Sequence, residues 1–280
     1  MLTRRNTLKL LTGSVALSAA TNASWSWAQA DSQSGNALKI PELMNGTAEG
    51  DSLHFALKMQ KGMSSFLPGI NTPTLGFNGD YLGPTLHFKR DSNIAVEFLN
   101  ALGEDTAVHW RGLHIPPSED GGPHHIFSTG ETWNPAFKIM QKAGTFWYHS
   151  HMLHKTGKQA YHGLAGLIII DDQESQALPL PSQYGVDDIP LILQDRSFNA
   201  DGTFRYMQSY DSTVKGMRGD ILLANGTADA YFDASTSKIR FRIVNASNGR
   251  LFNIAFSDDR PFQQIASDGG LLEAPLSMNR

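Results

Sequence analysis

Short apolar runs of five to nine residues, separated by turns rich in Gly, Pro, Asn and Asp, recur along this chain from residue 52 onward. Runs of this length with turns between them are typical of β-strands and are too short for most helices. The turns include Asn78-Gly79-Asp80 and Asp120-Gly121-Gly122-Pro123. The pattern therefore predicts an all-β protein built of Greek-key β-sandwiches. The predicted strands are Ser52–Gln60, Pro84–Lys89, Asn93–Leu99, Thr106–Arg111, Ala136–Gln141, Thr145–His149, Leu164–Ile170, Ile189–Gln194, Gly219–Leu223, Lys238–Val244 and Leu251–Phe256.

The strand-like runs form two groups, with a polar, Pro-containing stretch between them. The first group predicts a complete domain at 48–172, and the stretch at 173–186 is interpreted as a linker. The second group, at 187–280, is shorter than the roughly 100 residues and seven strands of an immunoglobulin-size sandwich, so we expect this second domain to be incomplete. Residues 31–47 are polar and predict a flexible lead-in.

The first thirty residues resemble a targeting signal. Arg4 and Arg5 form a twin-arginine pair, an apolar stretch follows, and Ala28-Gln29-Ala30 is a small-x-small cleavage site. The apolar stretch is too short, and too rich in Ser, Thr and Gly, to span a bilayer, which disfavours a membrane anchor. We therefore expect residues 1–30 to be a signal peptide for export to the periplasm by the twin-arginine route.

Charge and cysteine content exclude several classes of protein. Removing the signal takes three basic residues from 23 and leaves 20 against 27 acidic residues, a net charge of −7. The mature chain therefore lacks the basic footprint of a nucleic-acid-binding protein. The chain has no cysteine, which excludes disulfides, thiolate zinc sites and the Cys-containing blue-copper site.

Two histidine motifs lie on predicted strands, His-Trp-Arg-Gly at 109–112 and His-Ser-His at 149–151. Alternate side chains of a strand point to the same face. His149 and His151 therefore project together, as do His109 and Arg111. Imidazole suits copper, zinc, iron and nickel, so the pattern predicts a metal site on a β scaffold in which one position, Arg111, cannot ligate.

An ordered series of motifs resembles the multicopper oxidases, which include laccases, bacterial cuprous oxidases and a related non-catalytic division protein. The resemblance implies cupredoxin domains, usually three, with a mononuclear copper in the last domain and a trinuclear copper cluster between the first and the last. The motifs, in family order, lie at 78–85, 109–113, 120–123, 146–151, 163–168 and 240–247.

The resemblance also implies roles for individual residues. His109 matches the type 2 copper ligand, and His149 and His151 match type 3 ligands. Arg111 stands where the family has a fourth histidine. It is either a drifted ligand or a structural residue that replaces the charge of copper by pairing with an acid. Asp120 is a candidate proton relay, although a turn-forming Asp before Gly-Gly explains it equally well.

Clustering alone does not make the other histidines ligands. His124 and His125 follow a Gly-Gly-Pro turn and are expected to be loop residues, with a weak surface copper site as the alternative. The remaining five are expected to be surface, hydrogen-bonded or ordinary strand residues; they are His54, His87, His114, His154 and His162.

The functional expectation follows from the resemblance and its departures. A complete family member would oxidise a small reductant (phenol, amine or Cu(I)) and reduce oxygen. The C-terminal copper domain, with its His-Cys-His motif, is absent here. We therefore expect the N-terminal portion of an exported multicopper oxidase, inactive alone, unless that domain or a second chain completes it. The alternatives are a non-enzymatic scaffold resembling the twin-arginine-exported division protein, and a truncated pseudo-enzyme.

Overall fold

The computed structural model describes residues 35–279, so the expected signal peptide at 1–30 lies outside the described residues. Strands dominate, as the sequence predicts, and they are β1 (Asn36–Ala37), β2 (Leu43–Met44), β3 (Thr47–Glu49), β4 (Ser52–Leu67), β5 (Ile70–Phe77), β6 (Thr85–Lys89), β7 (Asn93–Ala101), β8 (Val108–Arg111), β9 (Thr132–Trp133), β10 (Ala136–Lys138), β11 (Gly144–Ser150), β12 (Ala165–Asp171), β13 (Asp188–Arg196), β14 (Ile221–Ala224), β15 (Thr227–Ala228), β16 (Ala230–Tyr231), β17 (Arg240–Asn245), β18 (Phe262–Ser267) and β19 (Gly270–Met278). Three short helices are α1 (Thr156–His162), α2 (Gln173–Gln176) and α3 (Tyr210–Val214).

Two sheets of the first strand group enclose the main core. One sheet contains β3, β4, β5, β7, β9 and β10, and the other has the order β2-β6-β12-β11-β8. Strand β7 shows how the sequence specifies this packing, because Ile94, Val96 and Phe98 alternate with more exposed residues and are at most 2% exposed. Trp110 of β8 and Tyr148 of β11 enter the same core from the opposite sheet. The result is a β-sandwich whose second sheet carries both histidine motifs.

Strand β12 is buried on both faces. Ile168 and Ile170 belong to the sandwich core, whereas Leu167 and Ile169 pack with Ile192 and other residues of the second strand group. A strand that is covered on both faces has apolar residues at consecutive positions. Leu-Ile-Ile-Ile at 167–170 is such a run. This strand therefore joins the sandwich to the four-stranded sheet β15-β14-β13-β17.

The second strand group differs in part from the sequence prediction. Strands β13, β14 and β17 overlap predicted runs. The strand predicted at Leu251–Phe256 is wrong, because that stretch has no strand structure. Leu251 is 93% exposed there and has no burial to hold an extended conformation. The hairpin β18–β19, which no predicted run covers, follows instead.

Part of the segment expected to be a flexible lead-in is paired. Strand β1 runs parallel to β16, and β2 runs parallel to β6. Asn36 N–H donates to the Asp229 carbonyl at 2.9 Å. Backbone hydrogen bonds at sheet edges make these pairings, and side-chain patterning does not reveal pairing of this kind.

Candidate metal centre

The register between β8 and β11 brings the two histidine motifs together. The strands are antiparallel, with His149 directly opposite His109 and Trp147 directly opposite Arg111. Trp110 and Tyr148 lie between these positions and point into the core, so the histidines project from the other face of the sheet. His151 follows the end of β11, and its backbone N–H donates to the Ala107 carbonyl at 2.7 Å, which continues the pairing.

The three imidazole rings form a compact triangle. Ring centroids are 5.6 Å apart for His109 and His149, 5.1 Å for His109 and His151, and 5.7 Å for His149 and His151. The indole of Trp147 covers His149 at a centroid distance of 4.3 Å. We refer to His109, His149 and His151 as the histidine triangle.

Backbone oxygens orient two rings of the histidine triangle. Nδ1 of His109 lies 3.0 Å from the carbonyl oxygen of Asp120 and 3.2 Å from its carboxylate Oδ1. Nδ1 of His149 lies 2.8 Å from the carbonyl oxygen of Ser150. Because these oxygens can only accept, each Nδ1 carries the proton and donates. In the neutral rings, each Nε2 therefore keeps a free lone pair.

Thr156 orients the third ring. Its hydroxyl donates to the Met152 carbonyl at 2.9 Å, so its oxygen is the acceptor in the 3.3 Å contact with His151 Nδ1. The proton of His151 is thus also assigned to Nδ1. All three rings share one tautomer, the one that makes Nε2 available to a metal.

Burial keeps the most enclosed ring neutral. Desolvation lowers the pKa of His149 to about 4, with smaller lowering effects from the nearby His109, His151 and Arg111. Its Nε2 is buried without any hydrogen-bond partner among residues 35–279. A buried acceptor without a partner is costly, and a copper ion is a partner that this atom fits.

The histidine triangle does not by itself make a complete site for one ion. Within the described part of the chain, no group of three or more His, Cys, Asp or Glu side chains is arranged to hold a metal ion. The three imidazoles therefore fit a copper centre as individual ligands, and such a centre would need further ligands beside them.

Arg111 lies at the solvent-exposed end of the same sheet face. Its charge lowers the pKa of both His149 and His151, after larger effects from burial. Among residues 35–279 it forms no ion pair with a carboxylate. The interpretation in which Arg111 replaces the charge of copper by pairing with an acid therefore finds no acidic partner here.

Asp120 sits where a short loop returns to β8. The loop is fixed by Trp110 Nε1, which donates to the Glu119 carbonyl at 3.0 Å. Gly121, at φ +65°, packs so closely that a Cβ would overlap the Val108 carbonyl oxygen. Burial raises the pKa of the Asp120 carboxyl, against the opposing charges of His109 and His151. The Asp120 carboxyl therefore binds a proton more readily than an exposed carboxyl, and it lies beside the histidine triangle.

The other histidines lie apart from the histidine triangle, and no ring contact joins any of them to it within residues 35–279. His124 is exposed, and His125 packs near Trp133 at a centroid distance of 6.3 Å. His87 Nε2 contacts Asp171 at 2.7 Å.

Sequence reasoning missed the residues that hold the histidine triangle from behind. Thr156 and Gln159 belong to helix α1, for which the apolar periodicity gives no signal because the helix has only seven residues. The one sequence signal for these residues is that they follow His151 closely in the chain. Gln159 has no exposed surface and contacts Thr106, which precedes β8, and Ser150 at the end of β11.

Comparison with known proteins places this arrangement in a family context. A family model described as multicopper oxidase matches residues 58–175. A multicopper oxidase of Staphylococcus aureus is 37% identical over 243 residues, covering 86% of this chain and 53% of that protein. The cell division protein FtsP of Xenorhabdus nematophila is 37% identical over 253 residues, covering 90% of this chain and 52% of that protein.

Solved structures show the same fold. A laccase from Pediococcus acidilactici superposes with a TM-score of 0.83 at 37% sequence identity, covering 88% of this chain and 53% of that one. The predicted cupredoxin-like all-β fold is thereby confirmed. The chain spans about half the length of the curated relatives it matches. No helix within residues 35–279 is long and apolar enough to cross a membrane.

Proposed function

Because this chain belongs to the multicopper oxidase family, we propose that it is the N-terminal portion of an exported, laccase-like oxidase and that it binds copper through the histidine triangle. In this proposal residues 48–172 form the first cupredoxin domain, 173–186 the linker and 187–280 part of a second cupredoxin domain. Export would follow the twin-arginine route to the periplasm.

The observation that carries the proposal is that an acceptor oxygen lies beside Nδ1 of each of the three rings. Each Nδ1 is bound to a fixed oxygen, so each Nε2 offers a lone pair, and that of His149 is buried without a partner. Bound copper would supply one-electron redox chemistry coupled to oxygen reduction. The chain's own contribution is to orient the imidazoles, to keep His149 neutral and to hold the Asp120 carboxyl beside them for proton transfer.

The partners follow from the same proposal. The imidazoles form a half-site, so a C-terminal copper domain, or a second chain that supplies one, would provide the remaining ligands and the copper that accepts electrons. A small reductant (phenol, amine or Cu(I)) would then donate electrons to the completed enzyme.

Copper titration tests the proposal. We expect calorimetry and Cu(II) electron paramagnetic resonance to show binding by the protein, with nitrogen couplings in the spectrum. Replacement of His109, His149 and His151 by Ala should abolish it, whereas His114→Ala, which removes an exposed ring, should not. Copper binding that persists in the triple variant would contradict the proposal, and His124 and His125 would then be the next candidate ligands.

A second candidate function is a non-catalytic scaffold. The specific observation in its favour is Arg111, a permanently charged residue at a family ligand position, together with an FtsP relative as similar as the oxidase relative. In this case the protein would bind no copper in the titration above. It would function instead by binding other molecules through the surfaces of its sheets.

A further inference from the structure

A buried amide on helix α1 contacts residues at one end of the β8–β11 pair, where β8 begins and β11 ends. Gln159 is completely buried. Its Oε1 accepts a hydrogen bond from Thr106 Oγ1 at 2.9 Å and another, very short, from Ser150 Oγ. Thr106 precedes β8 and its His109, and Ser150 stands between His149 and His151. One oxygen thus bridges the two segments that carry the histidine triangle.

The other end of the same amide is also fully used. Nε2 of Gln159 donates to the Asp105 carbonyl at 3.0 Å and to Glu104 Oε1 at 3.2 Å. Glu104 is held in turn by Lys155, at 3.0 Å. A primary amide has two donors and two acceptor lone pairs, and Gln159 uses all four. A carboxylate or an apolar side chain at this position would leave several buried polar groups unsatisfied.

The segment around α1 therefore has a common effect on the three rings. Thr156 accepts from the His151 ring, while Gln159 sets the spacing of the strand ends from which the rings project. Fully satisfied buried networks of this kind favour one geometry over alternatives. Displacing a strand end by even part of an ångström would change the angles between the three Nε2 lone pairs.

We propose that Gln159 is the positioning residue of the histidine triangle: it clamps the ends of β8 and β11 together and thereby sets the mutual orientation of the three imidazoles. The proposal rests on the proposed copper-binding function only for its consequence, metal affinity. The positioning itself exists in the metal-free protein and is measurable there.

The test uses two matched substitutions of buried glutamines. Gln159→Met keeps the length of the side chain but removes all four hydrogen bonds. Gln194→Met makes the same chemical change at a second completely buried glutamine, on β13, which accepts from Tyr81 instead.

Two measurements follow in each variant. Nuclear magnetic resonance of the metal-free protein reports contacts between the rings of His109, His149 and His151 and the nitrogen that carries each proton. Titration with Cu²⁺ reports affinity. We expect Gln159→Met to lose the ring-to-ring contacts and to weaken Cu²⁺ binding by about tenfold or more, the usual effect of an outer-shell change. Gln194→Met should leave both unchanged.

The outcomes separate the two proposals. Wild-type ring contacts in Gln159→Met, or an equal loss in Gln194→Met, would overturn the positioning role, because the effect would then be absent or merely one of general stability. If the wild-type protein binds no Cu²⁺, the proposed function fails, yet the ring contacts of the metal-free variants still decide whether Gln159 positions the rings.

Discussion

At the scale of single residues, the orientation of each ring in the histidine triangle depends on the oxygen that its Nδ1 contacts. His109 and His149 donate to backbone oxygens and His151 to a hydroxyl. Backbone acceptors are fixed by strand and loop geometry and do not depend on rotamer choice. The ring orientations are therefore set in the metal-free protein, and this would reduce the cost of ordering the ligands if a metal binds.

Arg111 offers a direct test of the strand register. Arg111→His should place a fourth imidazole on the face of the histidine triangle and remove a cation. We expect Cu²⁺ binding to tighten roughly tenfold, equivalent to about 1.4 kcal/mol, in calorimetric titration. Arg111→Ala is the control, since it removes the charge without adding a ligand. An affinity equal to that of Arg111→Ala would mean that position 111 does not face the metal.

The pair formed by His87 and Asp171 makes an acid-sensitive contribution to stability. The hydrogen bond from His87 is the largest cause that lowers the pKa of the Asp171 carboxyl. Because the pKa of Asp171 is lower in the folded protein than its ordinary value of 3.8, the ionised carboxyl stabilises the fold at pH values above 3.8. This stabilisation is lost as the pH falls through the lowered pKa of the folded state.

His87→Phe should therefore destabilise the protein by about 1.5–3 kcal/mol near neutral pH, the range for a hydrogen bond to a charged group. The difference from wild type should shrink below about pH 4. Urea unfolding at several pH values measures it. A difference that persists unchanged at pH 2 would show that packing, and not the carboxylate, is responsible.

At the scale of elements, β13 and β17 are joined by a buried ion cluster. Asp188, with a side chain 5% exposed, accepts from Arg240 and from Arg242, the latter at 2.8 Å. Arg242 also donates to Thr145 Oγ1 at 2.9 Å on β11. One carboxylate thus pairs with two largely buried guanidinium groups and, through Arg242, links the second strand group to the strand that carries His149.

Asp188→Asn should be strongly destabilising because it leaves two buried cations without a counter-charge. The expected loss is about 3–5 kcal/mol, measurable by chemical denaturation. Asp211→Asn is the matched control, because its pair with Lys215 is exposed and should contribute less than about 1 kcal/mol. Equal effects of the two substitutions would contradict this account of the cluster.

At the scale of the whole molecule, the four-stranded sheet β15-β14-β13-β17 ends in an edge strand with exposed apolar side chains. Strand β17 is the last strand of its sheet within residues 35–279, and its Phe241 and Ile243 are each 41% exposed. An unpaired strand edge with apolar side chains is a template for association. We expect the isolated chain to dimerise or aggregate unless another segment covers this edge.

Light scattering after size-exclusion chromatography tests the association. Phe241→Lys with Ile243→Lys should shift the protein toward the monomer, because charges on an edge strand oppose pairing. The exposed Met140→Lys, on a different part of the surface, serves as the control. A wild-type protein that runs as a clean monomer would contradict the exposed-edge argument.

The absence of cysteine makes a spectroscopic prediction for the chain as it stands. The intense blue colour of cupredoxins requires a thiolate ligand to copper, and this chain has none. Copper-loaded protein should therefore lack intense blue absorption and should oxidise a phenolic substrate no faster than free copper. Turnover clearly above that background would contradict the half-site interpretation.

What the sequence determines by itself is local pattern. Alternation over β7 and β8 predicts strands and their buried faces, and the His-x-His spacing predicts two rings on one face of β11, because side-chain direction in a strand depends only on position. Most strands of the first group follow from such patterns. The strand expected at Leu251–Phe256 did not form, because an apolar run becomes a strand only where a neighbouring strand pairs with it and its side chains are covered.

Only the tertiary structure decides which distant segments meet. The pairing of His109 with His149 depends on register between strands separated by 40 residues, and the shared tautomer depends on oxygens of Asp120 and Thr156. The buried amide of Gln159 is ordinary in sequence and becomes informative only when its four hydrogen bonds are seen. Hydrogen bonds between segments remote in sequence leave no periodic signal, and they are what orients the candidate ligands.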